Sequence, residues 1–288
     1  MNRETRAGAA AAVTAFLVWG VSGLFYKWFG AMPTSEILSH RVLWSAVICL
    51  GAVAATRRLA PLRAVCRVPR QLALLLVSAA MISINWLLFI WSVGHGHALE
   101  ASMGYFIYPL VSVLLGAALL GERLNARRIG AVAVVAVGVA LQVARLGEVP
   151  WIALGLAGSF AAYALLRKVA MAEALVGLTV ETVALAPLAA IYLIGQGGGA
   201  FAQGEPTMIA MLLSTGPMTA LPLLLFAFGA RRLRLSTLGL MQYVNPTTQM
   251  LVAVLAFGEP FASAHMVTFA CIWLGLALYS LDAARPRN

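Results

Sequence analysis

"YFIYPLVSVLLGAALLGER" (105–123) and "QYVNPTTQMLVAVLAFGEP" (242–260) align without a gap, 137 residues apart. Pro109 meets Pro246, and Gly121-Glu122 meets Gly258-Glu259. Each stretch is an apolar run of helical length with a proline near its start and a Gly-Glu turn at its end. A chain that repeats itself at this spacing is built from two similar halves. How those halves lie depends on what surrounds the two stretches.

The surroundings are apolar. Of the 288 residues, 62% are hydrophobic and only 10% are charged, whereas a soluble domain carries about 25% charged residues. The composition is that of an integral membrane protein, with little left for a soluble domain and the lipid bilayer as its first partner. The net charge of +10 does not point to nucleic acid, because the basic residues form no continuous patch. They sit in clusters separated by apolar stretches of about 20 residues, the length that crosses a bilayer. Cys49, Cys66 and Cys271 are an odd number without metal-ligand spacing, so neither a disulfide framework nor a zinc site is expected. No motif for a cofactor is present. Arg3 and Arg6 before the first apolar run resemble a signal peptide, but no soluble domain follows, and the run reads as an uncleaved first span.

Apolar windows place ten spans near 8–28, 36–55, 71–92, 98–120, 128–145, 150–167, 175–195, 207–229, 236–257 and 264–281. Charge checks this count. Arg3 and Arg6, the loop arginines 57, 58, 63, 67 and 70, then Arg123, Arg127 and Arg128, Arg167 and Lys168, Arg231, Arg232 and Arg234, and finally Arg285 and Arg287 account for 17 of the 20 Lys and Arg. All fall on one side of a ten-span chain, which the positive-inside rule makes the cytoplasm. Both termini are then cytoplasmic, in a bacterial inner membrane. The repeat unit is five spans, an odd number, so the halves 1–147 and 148–288 have opposite orientation. Inverted repeats mark secondary transporters, whose sites lie between the halves near the midplane, at proline-interrupted helices in corresponding positions. Here those are spans 4 and 9.

Polar stripes lie on the same helices. In span 4, Tyr105, Tyr108 and Ser112 share a helical face, and their mates in span 9 are Gln242, Asn245 and Gln249. In span 3, Ser78, Asn85 and Phe89 share a face, with mates Thr215, Pro222 and Phe226 in span 8. Tyr and amide side chains also hold membrane helices together, for roughly 0.6–2 kcal/mol each. Repeat-matched faces favour a shared cavity instead, lined by Asn85, Phe89, Tyr105, Tyr108, Ser112, Gln242, Asn245 and Gln249.

Three segments, "EILSHRVLWS" (36–45), "NWLLFIWSVGHGHALEASMGYFIYPLVSVLLGAALLGERL" (85–124) and "RLRLSTLGLMQYVNPT" (232–247), resemble RarD-type proteins of the EamA group in the drug/metabolite transporter superfamily. The resemblance extends over essentially the whole chain. It implies a ten-helix, inverted-repeat inner-membrane exporter whose central cavity is lined mainly by spans 1, 3, 4, 6, 8 and 9. The substrates it implies are small organic solutes such as amino acids, metabolites or drug-like molecules, and RarD proteins are commonly described as chloramphenicol-related permeases. Many relatives have an Asn before the span 4 proline. Tyr108 stands there instead and makes the cavity floor larger and aromatic.

Charged residues inside spans are the remaining candidates. Glu36, His40 and Arg41 open span 2, behind Thr34 and Ser35 as expected helix caps. Glu36 and His40 share a face, and Arg41 lies about 7 Å inside the span at 1.5 Å per residue. They read as a gate or proton-coupling group, with protons as the candidate coupling ion and His40 as the titrating member, or as a structural ion pair. Glu181 is a second intramembrane acid. It would mirror Glu36 only with a loop insertion; without one Glu36 matches Glu173, and the sequence leaves both open. His95 and His97 lack a third metal ligand and read as a solvated loop, and Glu100 is placed to cap span 4. An intramembrane enzyme using Glu36, His40 and Arg41 is the alternative, but no nucleophile elbow, metal set or phosphate loop accompanies them. Ser159 has no base placed with it. A passive channel lacks a ring of like charges, and no G-x-x-x-x-G-K-[ST] loop is present for direct ATP use.

Overall fold

The structure, a computed structural model, describes residues 3–121, 125–170, 172–230, 232–233 and 241–283. Among these every regular element is a helix: α1 (Arg3–Lys27), α2 (Thr34–Ala55), α3 (Leu59–Cys66), α4 (Pro69–Gly94), α5 (Ala98–Leu120), α6 (Ala126–Leu146), α7 (Trp151–Ala170), α8 (Ala174–Gly195), α9 (Gly199–Ala202), α10 (Pro206–Ala230), α11 (Val244–Leu251, continued by a π-turn over Val252–Ala256) and α12 (Ser263–Ala283). Seven of them, α1, α2, α4, α5, α7, α8 and α10, contain windows long and apolar enough to cross a bilayer. Three further apolar segments, Ile129–Arg145, Val244–Ala256 and Ser263–Leu278, are shorter. The start of the span expected at 236–257 lies outside the described residues, as do Glu122, Arg123, Arg231, Arg234, Arg285 and Arg287. The sequence reading missed the short helices α3 and α9, which sit in the loops after α2 and α8.

Helices form because lipid offers the backbone no partner, so every N–H and C=O must be satisfied within the segment. Hydroxyls obey the same rule. Thr215 donates to the Leu212 carbonyl at 2.6 Å, Thr219 to Thr215 at 3.0 Å and Thr182 to Leu178 at 2.8 Å, each folding back onto its own helix. Helix starts differ from expectation. The cap of α2 is Pro33, with no side-chain cap bond, and Ser35 instead donates to the Tyr192 hydroxyl at 2.7 Å. Outside the spans, Glu205 precedes α10 and accepts from the N–H groups of Met208 and Thr207. Those bonds hold its carboxyl below the usual carboxylate range.

The helix contacts come in pairs. Setting aside α3 and α9, the most extensive packing partnerships have counterparts five apolar segments further on: α4 with α7 and α10 with α1, α5 with α7 and α11 with α1, α2 with α10 and α8 with α4. The pairs α2–α8, α5–α11 and α6–α12 are their own counterparts. Two glycines that sequence reading passed over, Gly138 and Gly275, are 137 residues apart and face the α6–α12 crossing from either side. A Cβ at Gly138 would stand 2.5 Å from the Cys271 Cβ, and one at Gly275 would stand 2.8 Å from the Ala131 carbonyl oxygen. Small residues let helix backbones approach this closely in a membrane. Gly121 and Gly258 match too: φ is +67° and +68°, the left-handed turn that ends a helix and that glycine adopts without strain.

The prolines of the two aligned stretches diverge. α5 runs through Pro109, whereas a turn at 242–243 interrupts the chain before α11 and places Pro246 in its first turn, where the missing N–H costs nothing. Gln242 therefore sits on broken backbone and its mate Tyr105 on continuous helix.

Candidate functional site

Asn85 of α4 organises the centre. It is 1% exposed and uses both ends of its amide. The NH₂ donates to the Leu156 carbonyl and the Ser159 hydroxyl, both at 3.1 Å, and the carbonyl accepts from the Tyr105 hydroxyl at 2.9 Å. Tyr108, nearly one turn along α5, donates to the Gln242 carbonyl oxygen at 2.8 Å. Both tyrosines meet Phe160 of α7 edge-on, with centroids 5.9 and 4.9 Å away, and Phe89 meets Tyr105 at 5.9 Å. Gln249 donates to Asn245 at 3.0 Å, along α11. The Gln249 carbonyl oxygen and the Ser112 hydroxyl are buried without a hydrogen-bond partner. The expected lining residues thus form separate polar pairs, Asn85 with Tyr105, Tyr108 with Gln242 and Asn245 with Gln249, the first two bridged by the Phe160 ring. Ser78, of the same α4 stripe, is directed elsewhere: it donates to Glu181 at 2.6 Å. Of the span 8 stripe, Thr215 and Pro222 are buried, and Phe226 packs against Phe16 and Trp19.

Glu36, His40 and Arg41 are all buried, yet they form no ionic cluster. Glu36 turns away from Arg41 and accepts the Ala200 N–H of α9 at 2.6 Å. Gly199 permits this, because a Cβ there would lie 2.1 Å from the Glu36 carboxylate oxygen. His40 stacks on Phe201 at 5.5 Å, and both of its ring nitrogens are unpartnered. Arg41 lies over the Trp86 ring at 4.1 Å and the Tyr26 ring at 5.5 Å. Cation–π contact in a desolvated site contributes about 2 kcal/mol, less than the several kcal/mol that burying a cation costs. A pocket of about 400 Å³ opens beside Glu36, between Phe29, Met32, Gln196, Gln203 and Met208.

Glu173, 137 residues after Glu36, makes a contact of the same kind. At the cap of α8, it pairs with Arg58, at the cap of α3. Each carboxylate thus stands at the start of a helix and reaches a short helix in a distant loop. Glu181 is a separate site. Fully buried, it accepts from Ser78 and, at 3.5 Å, from Tyr163, and it faces Arg167 at 3.6 Å. Arg167 stands in the last turn of α7, and its guanidinium lies in the space left by the missing side chain of Gly177.

Two more carboxylates serve helix starts other than their own. Glu100 caps α7 by accepting from Ile152 and Ala153 at 2.9 and 3.3 Å. Glu259, behind Gly258, caps α5 by accepting from Ala98 and Leu99 at 2.8 and 2.7 Å. The starts of α5 and α7 are adjacent, so an acid in one first turn reaches its neighbour's free N–H groups more readily than its own. His95 and His97 both stack on Trp91, at 4.5 and 5.6 Å. Ser159 has no acid or histidine hydrogen-bonded to it among the described residues, so nothing there would activate it as a nucleophile.

Residues 6–144 match the EamA-like transporter family. Protein RarD of Salmonella typhimurium is 43% identical over 284 residues, covering 98% of this chain and 97% of that protein. The chain is a RarD-type member of the EamA family. An uncharacterized transporter of Vibrio cholerae is 42% identical over 287 residues, 99% of this chain and 95% of that one. One crystal structure superimposes with a TM-score of 0.59, at 22% identity and over 96% of this chain and 97% of the other, which bears on the fold alone. This RarD-type chain is accordingly a multi-pass membrane protein of a transporter family, and relatives such as the Vibrio cholerae protein are named as transporters.

Proposed function

We propose that the protein is a secondary transporter that exports small organic solutes across the bacterial inner membrane by alternating access. In this reading ten helices cross the bilayer as two inverted repeats, 1–147 and 148–288, with both termini cytoplasmic. The paired helix contacts, the Gly138/Gly275 and Gly121/Gly258 matches and the reciprocal roles of Glu36 and Glu173 support it. The substrate path runs between the halves along Asn85, Phe89, Tyr105, Tyr108, Ser112, Gln242, Asn245 and Gln249. The observation that carries this is the Tyr108–Gln242 hydrogen bond. It joins the proline-bearing helix of one half to the broken backbone of the other, where transporter sites lie. Opening the path requires that bond to break, and a solute then takes over the freed groups.

Glu36, His40, Arg41 and Glu181 are assigned to gating or coupling, with protons as the coupling ion. Glu36 ties α2 to the loop helix α9, and Glu181 ties α8 to α4 and α7. Both are bonds between elements that must separate if the halves rock.

Counterflow in proteoliposomes tests the reading, using a panel of amino acids, nucleobases, organic acids and chloramphenicol with and without a proton gradient. Saturable exchange of at least one compound is expected. Tyr108→Phe and Gln242→Ala should each lower it about tenfold while the protein remains inserted and folded. Wild-type rates in both variants would rule out the proposed path.

A further inference from the structure

Arg41 is a buried cation that no acid answers. It is 7% exposed, and among the described residues no carboxylate stands within ion-pair distance of it. Glu36 is engaged by Ala200 and Glu181 by Arg167. Among the described residues the guanidinium has no hydrogen-bond partner, and its Nε is buried. Trp86 covers its face at 4.1 Å, which leaves the N–H donors at its edge free. One turn along the same face of α2, the Ser45 hydroxyl is also fully buried and unpartnered. Donors therefore gather here with no carboxylate among the described residues to receive them.

The surroundings are aromatic and continuous with the central site. Tyr26 meets Phe89 at 6.1 Å, and Phe89 meets Tyr105 at 5.9 Å; Trp86 follows Asn85 in α4. A pocket of about 280 Å³ between α1, α2 and α4 is lined by Tyr26, Ile37 and Ile90. Tyr26, whose ring Arg41 approaches at 5.5 Å, is shared by this pocket and the aromatic surroundings of the guanidinium.

We infer that Arg41 is the anion-binding group of the transport path, and that the substrate is an organic monocarboxylate with an aromatic or other apolar body. A carboxylate is the ligand that the in-plane edge of a guanidinium binds in bidentate fashion. Tyr26, Phe89 and Trp86 receive the body. No acid beside Arg41 is placed to receive an ammonium, so a carboxylate without an amino group fits better than an amino acid. The inference rests on the transporter reading above and supplies its substrate class.

The test is titration calorimetry on the purified full chain with phenylacetate, phenylacetamide and phenylalanine, followed by counterflow with the same compounds. Phenylacetate should bind at least tenfold more tightly than the isosteric amide and more tightly than phenylalanine. Arg41→Met should abolish that preference, and Arg41→Lys should retain part of it. Equal binding of acid and amide to the wild-type protein would overturn the inference without any variant having to fold, as would phenylalanine binding as tightly as phenylacetate, or unchanged preference in Arg41→Met. No binding of phenylacetate, or of benzoate and indoleacetate as wider probes, would overturn it equally. The transporter reading fails separately. If neutral compounds exchange in a Tyr108-dependent way while acids do not, the path stands and the anion site falls. If phenylacetate binds through Arg41 but its counterflow is unchanged in Tyr108→Phe and Gln242→Ala, the anion site stands and the central path falls.

Discussion

Removing Arg167 should damage this protein more than removing Arg167 and Glu181 together. The two charges are 3.6 Å apart, with the Glu181 side chain fully buried and that of Arg167 14% exposed. At an effective dielectric constant of about 20, attraction over 3.6 Å is about 4.6 kcal/mol. Desolvation of both ions offsets most of it, so the net worth of the pair is small. Among the described residues, Arg167→Met leaves Glu181 with only the hydroxyls of Ser78 and Tyr163. Breaking such a pair costs about 3–5 kcal/mol, because the remaining charge is buried and uncompensated. Glu181→Gln should cost less, since Arg167 keeps contacts of 3.4, 3.2 and 3.5 Å with the carbonyls of Ala172, Glu173 and Ala174. The double variant, Arg167→Met with Glu181→Gln, should return to within about 1 kcal/mol of wild type. Reversible unfolding in detergent micelles, followed by tryptophan fluorescence, gives all four corners of the cycle, and their non-additivity is the coupling. A loss below about 1 kcal/mol for Arg167→Met would mean that water reaches the pair and that it behaves as an exposed one. Additive losses would mean that the two side chains do not sense each other, and either result would refute the reasoning.

Three other outcomes follow from contacts of the same kind. Gly177→Ala should reproduce most of the Arg167→Met loss and add little in that background, because its Cβ would fall 1.3 Å from the Arg167 Nη1; the same unfolding assay checks it. Glu259→Gln removes the charge from the cap of α5 and should cost about 1 kcal/mol, with faster amide exchange at Ala98 and Leu99 as the local readout. Glu173→Gln should change stability by less than about 1 kcal/mol, and less still at high salt, since the side chains of Arg58 and Glu173 are 34% and 48% exposed.

The contrast among these acids shows what could be read in advance. Apolar length, the offset repeat and the polar stripes are local properties. The bilayer thickness dictates the first, the second is visible by aligning the chain with itself, and the third follows from helical period. Tyr105, Tyr108, Asn85 and Gln242 were singled out on those grounds, and the structure joins them by hydrogen bonds. Gly138 and Gly275 were within reach as well, since the same offset of 137 relates them. Glu100 was expected to cap its own helix and caps α7 instead, and the partners of Glu36 and Arg167 could not be read at all, because they lie elsewhere in the chain. Thr34, Ser35 and Glu36 look like a cap for their own helix, yet Glu36 binds a backbone N–H 164 residues away.

By itself, the sequence determined that this is a helical membrane protein, because hydrophobic length and periodicity suffice for that in lipid. Tertiary structure alone decided which charges meet. Glu181 acquired Arg167 and Ser78, Glu36 acquired α9, and Arg41 acquired aromatic rings and no acid. A side chain's partner depends on which helices abut and how each is rotated about its axis. The many small contacts of packed helices set those angles together, and no short stretch of sequence encodes them.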